Sequence, residues 1–259
     1  MQSFSFIGLG LSDENGITLE GLERARLADK IFAEFYTNTM PRLDLKRLES
    51  LIGKKIRVLT RSELEEQDGR QLLAATREGS VALLVPGDPM IATTHVSLRL
   101  SLAKVGIKAQ IIHAASIMSA ISGATGLQSY KFGKAVTVPR DEPLPRSVID
   151  TISDNHGRGL HTLLLLDVNP GFAGQLTIGE ALARIIMANP ENQDLLTVGT
   201  ARLGAPDEKV KAARMRIMVN EDFGEPPHSI VVVGRLHFME SEALSVFCGA
   251  TDEDLREKP

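Results

Sequence analysis

Two short strings hold much of the chemistry this chain could perform. Gly8-Leu9-Gly10 follows the apolar run Phe4-Ser5-Phe6-Ile7, and Pro86-Gly87-Asp88-Pro89 follows Val81 to Val85. Glycine lets backbone N–H and C=O groups approach a ligand closely, and proline stiffens the second string. Asp88 adds a carboxylate that can accept hydrogen bonds from an ammonium or a hydroxyl. Two such loops at the carboxyl edge of one sheet are where open α/β folds bind ligands. A phosphate-bearing ligand is disfavoured. The third glycine of a dinucleotide fingerprint would fall at position 13, which is Asp13, and no Gly-Lys-Ser/Thr loop occurs. The plainer reading of the first string is a turn, and of the second a type I turn with a helix cap.

Other strings leave two readings open. Ala92-Thr93-Thr94-His95 offers hydroxyls where a helix begins. His113-Ala114-Ala115-Ser116-Ile117 opens a small-residue stretch over 119–126, which permits either tight helix packing or room for a bound molecule. Pro226 and Pro227 place His228 at a strand entrance, as a ligand contact or as a structural histidine. Histidines 95, 113, 156, 161, 228 and 237 form no pair at helical metal-binding spacing with a carboxylate, so no metal site is expected. The chain also lacks a Gly-x-Ser-x-Gly elbow for Ser/His/Asp hydrolysis.

The elements that must carry these residues alternate in the first half. Strands are expected over 4–7, 30–35, 56–59, 81–85 and 109–113, with helices over 18–28, 45–52, 64–78 and 94–105. That alternation is the signature of a parallel sheet covered by helices. Three prolines within 139–145 make a stiff connection, which places a domain boundary there: 1–138 and 139–259. The second half predicts strands over 162–168, 196–201 and 229–234 in mixed directions, and helices over 178–187 and 240–247.

Bulk properties narrow the function classes. At 259 residues with 43% hydrophobic and 24% charged residues, the chain can bury a real core. A net charge of −4 provides no long-range attraction to nucleic acid or anionic membrane, so the expected partner is a small molecule or a protein. The single cysteine, Cys248, reads as a small apolar residue in a reducing compartment, which predicts the cytoplasm. Apolar runs fall far short of the ~20 residues that span a bilayer, and the amino terminus has no basic segment followed by a long apolar one. Neither membrane insertion nor export is expected.

Several blocks, in order and at similar spacing, resemble the diphthine synthases from nearly one end of the chain to the other. They are Ile7-Gly8-Leu9-Gly10-Leu11, Ile17-Thr18-Leu19-Glu20-Gly21-Leu22, Ala33-Glu34-Phe35-Tyr36-Thr37, the loop from Pro86 to His95, His113-Ala114-Ala115-Ser116-Ile117, Tyr130-Lys131-Phe132-Gly133, Gly159-Leu160-His161-Thr162-Leu163 and the run from Glu221 to His228. The Ala-Glu-Phe-Tyr-Thr and Ala-Thr-Thr-His strings distinguish that family from its relatives, the tetrapyrrole methyltransferases, which share the Gly-Asp-Pro loop. The resemblance implies two α/β domains of the tetrapyrrole methylase type with a cofactor cleft between them. It also implies a homodimeric, S-adenosylmethionine-dependent methyltransferase. The substrate it implies is translation elongation factor 2, whose 3-amino-3-carboxypropyl-histidine is methylated on nitrogen to give diphthine. The compact length resembles the archaeal form. Carried over residue by residue, the family's cofactor contacts fall on Leu11, Asp88, Ile91, Ser116, Ile117, Leu166, Leu203 and His228. No catalytic base is assigned. Asn169-Pro170-Gly171-Phe172 departs from the more polar stretch of the relatives.

A sulfonium methyl is already activated, so such a protein has mainly to position it against a neutral amine; ideal orientation alone can supply roughly 7–11 kcal/mol. Lys131, Lys134 and Arg140 are candidate partners for the acceptor's carboxylate, against the alternative of a solvated basic surface. The rival functions are methylation of a tetrapyrrole and ligand binding without turnover.

Overall fold

The computed structural model describes residues 3–67, 69–168 and 175–256. In chain order its elements are β1 (Phe4–Gly8), α1 (Leu19–Leu27), β2 (Lys30–Glu34), α2 (Leu45–Ile52), β3 (Ile56–Leu59), α3 (Arg70–Thr76), β4 (Val81–Val85), α4 (His95–Lys104), β5 (Ala109–Ile112) and α5 (Ile117–Thr125). They continue with β6 (Val136–Val138), α6 (Arg146–Gly157), β7 (Thr162–Leu166), α7 (Ile178–Ala188), β8 (Leu196–Ala201), β9 (Lys209–Arg214), α8 (Met215–Met218), β10 (His228–Val232), α9 (Phe238–Cys248) and α10 (Asp252–Leu255).

The first compact unit, residues 1–118, is built on a parallel sheet of order β3-β2-β4-β1-β5. Successive side chains of a strand point to opposite faces, and both faces here are apolar. Phe4, Phe6, Phe32, Leu83 and Val85 pack with Leu72 of α3 and Leu98 and Leu102 of α4. Ile7, Ile31, Ala33, Ala82 and Leu84 pack with Ala25 of α1 and Leu48 and Ile52 of α2. Local signals set the helix ends: the Thr18 hydroxyl accepts from Gly21 N at the start of α1, and Asp44 accepts from Lys46 N and Arg47 N at the start of α2.

The single helix expected over 64–78 is two pieces, a wide-turned segment Ser62–Glu66 and α3. Gly69 lies between them with φ +60°, and a Cβ there would sit 2.9 Å from Leu98 Cδ1. The backbone leaves the right-handed helix at this glycine, whose conformation a side chain would oppose. Periodicity alone runs through such a break.

The second unit, residues 119–259, carries a mixed sheet of order β6-β7-β10-β8-β9. β6 and β7 are parallel, whereas β10 is antiparallel to both β7 and β8, and β9 to β8. Ile152 of α6 and Leu182 and Ile185 of α7 close one face over Leu164, Ile230 and Val232. The division between units thus falls ahead of the proline-rich segment at which the sequence places it. The short strand β6 precedes those prolines but pairs with β7, and its valines alone carry too weak a signal to show this. Cys248 is buried, and burial pushes its thiol up to about 12, consistent with an inert apolar role.

A buried acid ties this unit together. Glu240 is fully buried; it accepts from Gln128 N at 2.9 Å, His237 N at 2.8 Å and His161 Nε2 at 3.0 Å, and pairs with Lys131. His161 Nδ1 accepts from Gly234 N, so the proton of the neutral ring sits on Nε2. Burial alone would raise the Glu240 pKa, but its hydrogen bonds outweigh it and hold the group at about 2, against 4.5 for a free side chain. Lys131 also donates to Arg235 O, so this cation is spent inside the unit and is not the acceptor contact the sequence suggests. Lys134 is exposed, and Arg140 lies 4.0 Å from Glu180.

A depressed folded-state pKa stabilises above the unfolded value and is lost as pH falls through the folded one. For Glu240 that window runs from 4.5 down to about 2. The contribution at stake is about 3 kcal/mol. Urea unfolding of the wild type and Glu240→Gln should therefore show a stability gap that closes across the window, and a pH-independent gap would contradict it. Gly199→Ala should cost about 1–3 kcal/mol, because its Cβ would lie 2.4 Å from Phe223 Cζ. An unchanged melting temperature would refute that steric account.

Candidate functional site

β1 and β4 are parallel neighbours, with Gly8 opposite Val85, and their loops meet just beyond the sheet. Gly87 N donates to Gly10 O at 2.7 Å, and Gly10 N donates to Gly87 O at 3.2 Å. Both glycines are left-handed, with φ +77° at Gly10 and +68° at Gly87. A Cβ on Gly8 would lie 2.6 Å from Gly87 O and 2.7 Å from Ala114 Cβ, so the loop after β5 packs into the same junction. A Cβ on Gly87, in contrast, would meet only Ser116 Cβ at 3.8 Å. That side of the turn is an open cradle of backbone, with Ser116 at its border.

Asp88 is buried and organises the cradle. Its Oδ1 accepts from Met90 N at 2.9 Å; its Oδ2 lies 2.7 Å from His113 Nδ1 and 3.4 Å from Ala114 N. A carboxylate accepts, so His113 Nδ1 carries the proton. Asp88 thereby links the loop after β4 to the loop after β5. The next carbonyl, Pro89 O, accepts from His95 Nδ1 at 3.0 Å and from the Thr93 hydroxyl at 3.2 Å. Between these ties Ala92 adopts φ +55°, a strained conformation for a residue with a Cβ.

Of the residues expected to contact a cofactor, Leu11, Asp88, Ile91 and Ser116 lie in the loops that leave β1, β4 and β5, and Ile117 opens α5 directly after the last of them. Leu11 and Ile117 are half-buried, Ser116 is buried and Ile91 is exposed. Within the second unit, β7 ends at Leu166, β8 ends two residues before Leu203, and β10, running the other way, begins at His228. Antiparallel pairing brings these three to one edge of the second sheet, each buried. Asn169, Pro170, Gly171 and Phe172 lie outside the described residues.

His228 has an unsatisfied group. Its Nδ1 accepts from Ile178 N at 3.4 Å, whereas Nε2 has no hydrogen-bond partner among the described residues. Burial first and the Arg202 charge second lower its pKa, so the ring is neutral near pH 7 and Nε2 carries the proton. Arg202 itself, at φ +51°, pairs with Asp207 at 2.7 Å and donates to the carbonyls of Phe223 and Glu225. It thus fixes the approach to His228. The Gly224 and Glu225 carbonyls lie close enough to favour the protonated ring, although Nε2 closes no hydrogen bond of ordinary geometry among the described residues.

Residue type and spacing alone assign no role to Glu34 and His95. Glu34 is fully buried at the end of β2, 3.8 Å from His95 Nε2. The available signal was an acid at the end of the apolar run Ile31-Phe32-Ala33. No helix among the described residues is long and apolar enough to cross a membrane.

Comparison with known proteins agrees with this architecture. The profile of the Tetrapyrrole (Corrin/Porphyrin) Methylases matches residues 3–217. A diphthine synthase of Methanococcoides burtonii is 41% identical over 259 residues, covering 95% of this chain and 96% of the relative. One from Archaeoglobus fulgidus is also 41% identical, covering 96% and 97%. A crystal structure of a diphthine synthase superposes with a TM-score of 0.90 at 41% identity, covering 97% of this chain and 98% of the other. With matched sequence, matched fold and nearly full coverage in both directions, the chain belongs to the tetrapyrrole methylase family and, within it, to the diphthine synthases.

Proposed function

We propose that this protein is an S-adenosylmethionine-dependent N-methyltransferase that acts on the 3-amino-3-carboxypropyl-histidine of translation elongation factor 2 and forms diphthine. The observation that carries this reading is the convergence of three glycine- and alanine-lined loops at one carboxyl edge, in a chain related to diphthine synthases along nearly its whole length. The residues fit such a cofactor. The turn at Gly87 is open to ligand on the Ser116 side, and the surrounding side chains are short or apolar. Leu11, Asp88, Ile91, Ser116 and Ile117 are its proposed contacts in the first unit, and Leu166, Leu203 and His228 in the second.

When bound, S-adenosylmethionine supplies a methyl group already activated by its sulfonium, so the chain's own task is orientation. Reciprocal hydrogen bonds between Gly10 and Gly87 hold the floor of the cradle, and Asp88 keeps the β4 and β5 loops in register. The His228 Nε2 proton is offered to an acceptor atom. Apolar walls keep water away and disfavour the ammonium form of an incoming amine, which must be neutral to attack. A cytoplasmic homodimer of the archaeal kind completes the proposal.

Mass spectrometry of unmethylated elongation factor 2 after incubation with the protein and S-adenosylmethionine should show added methyl masses on the modified histidine. Transfer to precorrin instead, or to neither acceptor, overturns the assignment. Asp88→Ala should weaken S-adenosylhomocysteine binding by about tenfold, the loss expected when charge-assisted hydrogen bonds are removed. Its stability should fall by less than its binding energy, the cost of leaving Met90 N and Ala114 N without their acceptor. Calorimetry showing unaltered affinity would remove Asp88 from the site.

A further inference from the structure

A cavity of about 310 Å³ lies in the first unit, lined by Tyr36, Glu65, Thr94, His95, Ser97 and Ser101 together with two leucines. Its place in the topology is informative. In the order β3-β2-β4-β1-β5, the loops proposed to hold the cofactor leave β4, β1 and β5. Tyr36 follows β2, Glu65 follows β3, and the remaining polar lining comes from the start and first turns of α4, which follows β4. The same carboxyl edge therefore carries two adjoining sites, as a two-substrate reaction requires.

The lining is rich in acceptors. Glu65 takes hydrogen bonds from Thr94 Oγ1 at 2.9 Å and Arg61 Nε at 2.7 Å, which outweigh its burial and keep it ionised. Carboxylate oxygens have further lone pairs, and the hydroxyls of Ser97, Ser101 and Tyr36 add more. The Tyr36 hydroxyl is buried beside Thr94 without closing a hydrogen bond of ordinary geometry. Beneath the lining, Glu34 accepts from Tyr36 N and Thr37 N, both at 3.1 Å, and so fixes the turn that presents the Tyr36 ring. His95 connects the cavity to the β4 loop: its ring lines the cavity, and its Nδ1 proton is given to Pro89 O, next to Asp88. The volume is at the low end of ligand pockets, roughly 300–1,000 Å³. It suits one nitrogen-bearing side chain and is too small for a macrocycle.

We propose that this cavity is the acceptor pocket, which receives the imidazole-bearing modified side chain of the protein substrate and satisfies its N–H groups with Glu65 and the α4 hydroxyls. The proposal rests on the methyltransferase reading above. Its test uses elongation factor 2 carrying the unmethylated aminocarboxypropyl-histidine, with the full chain as Ser101→Phe, which fills the cavity, and as Glu65→Gln, which keeps volume and removes charge. Steady-state methylation is measured together with calorimetric affinity for S-adenosylhomocysteine and for the unmethylated factor. Each variant should lose roughly tenfold or more in kcat/KM, mainly through KM, and bind the factor more weakly, as loss of a hydrogen bond to a charged group predicts. Affinity for S-adenosylhomocysteine should stay within about twofold. If Ser101→Phe does not fold, Glu65→Gln decides. Wild-type turnover with kcat/KM unchanged in a folded variant overturns the pocket and spares the functional reading. A parallel loss of S-adenosylhomocysteine affinity also overturns it, since the cavity would then not be a separate site. Absence of wild-type turnover sinks both.

Discussion

Backbone contact between Gly10 and Gly87 is the constraint on which the functional edge depends. Two parallel strands end side by side, and their continuing chains would ordinarily diverge into separate loops. Reciprocal hydrogen bonds between the two glycines instead join them into one rigid floor. Side chains would prevent this, since a Cβ on Gly8 would collide with Gly87 O and one on Gly10 with Gly16 O at 2.8 Å. The ligand cradle and the close packing of three loops therefore have the same cause, the absence of Cβ atoms where backbones touch.

Polar side chains then hold what the glycines bring together. Asp88 spends its oxygens on the β4 and β5 loops, and His95 spends its Nδ1 proton on the carbonyl one residue further on. The strain at Ala92 lies between these anchors, where the surrounding hydrogen bonds over-determine the backbone. In the second unit Arg202 works in the same way, closing the Phe223 to Glu225 backbone around His228 with several donors of one planar fork. Glu240 is a different case, because its partners satisfy it fully and leave no oxygen facing a cavity. Its role is to connect α9, His161 and Lys131 within one core.

The two ends of the carboxyl edge of the first sheet are built differently. The junction at β4, β1 and β5 is made by backbone and tolerates little substitution. The β3 and β2 end is made by side chains on a turn and on α4, where changes of one residue alter charge and volume without touching the glycine floor.

Much of the first unit was legible in the sequence. Its five strands and the span of α2 followed from apolar runs, which are local signals. The glycine strings, Asp88 and His228 stood out by residue type, and the family followed from the order of its blocks. Other features depended on contacts between residues distant in the chain. The left-handed break at Gly69, beside Leu98, interrupts an unbroken periodicity, and β6 forms because β7 offers an edge. Lys131, a candidate acceptor contact or solvated cation in the sequence, is drawn inward by Glu240 more than one hundred residues away. The pairing of Asp88 with His113, the orphan donor of His228 and the cavity over Glu34 were likewise decided by tertiary structure. Residue order specifies local conformation, whereas hydrogen-bond partners and empty volume exist only once remote segments have packed.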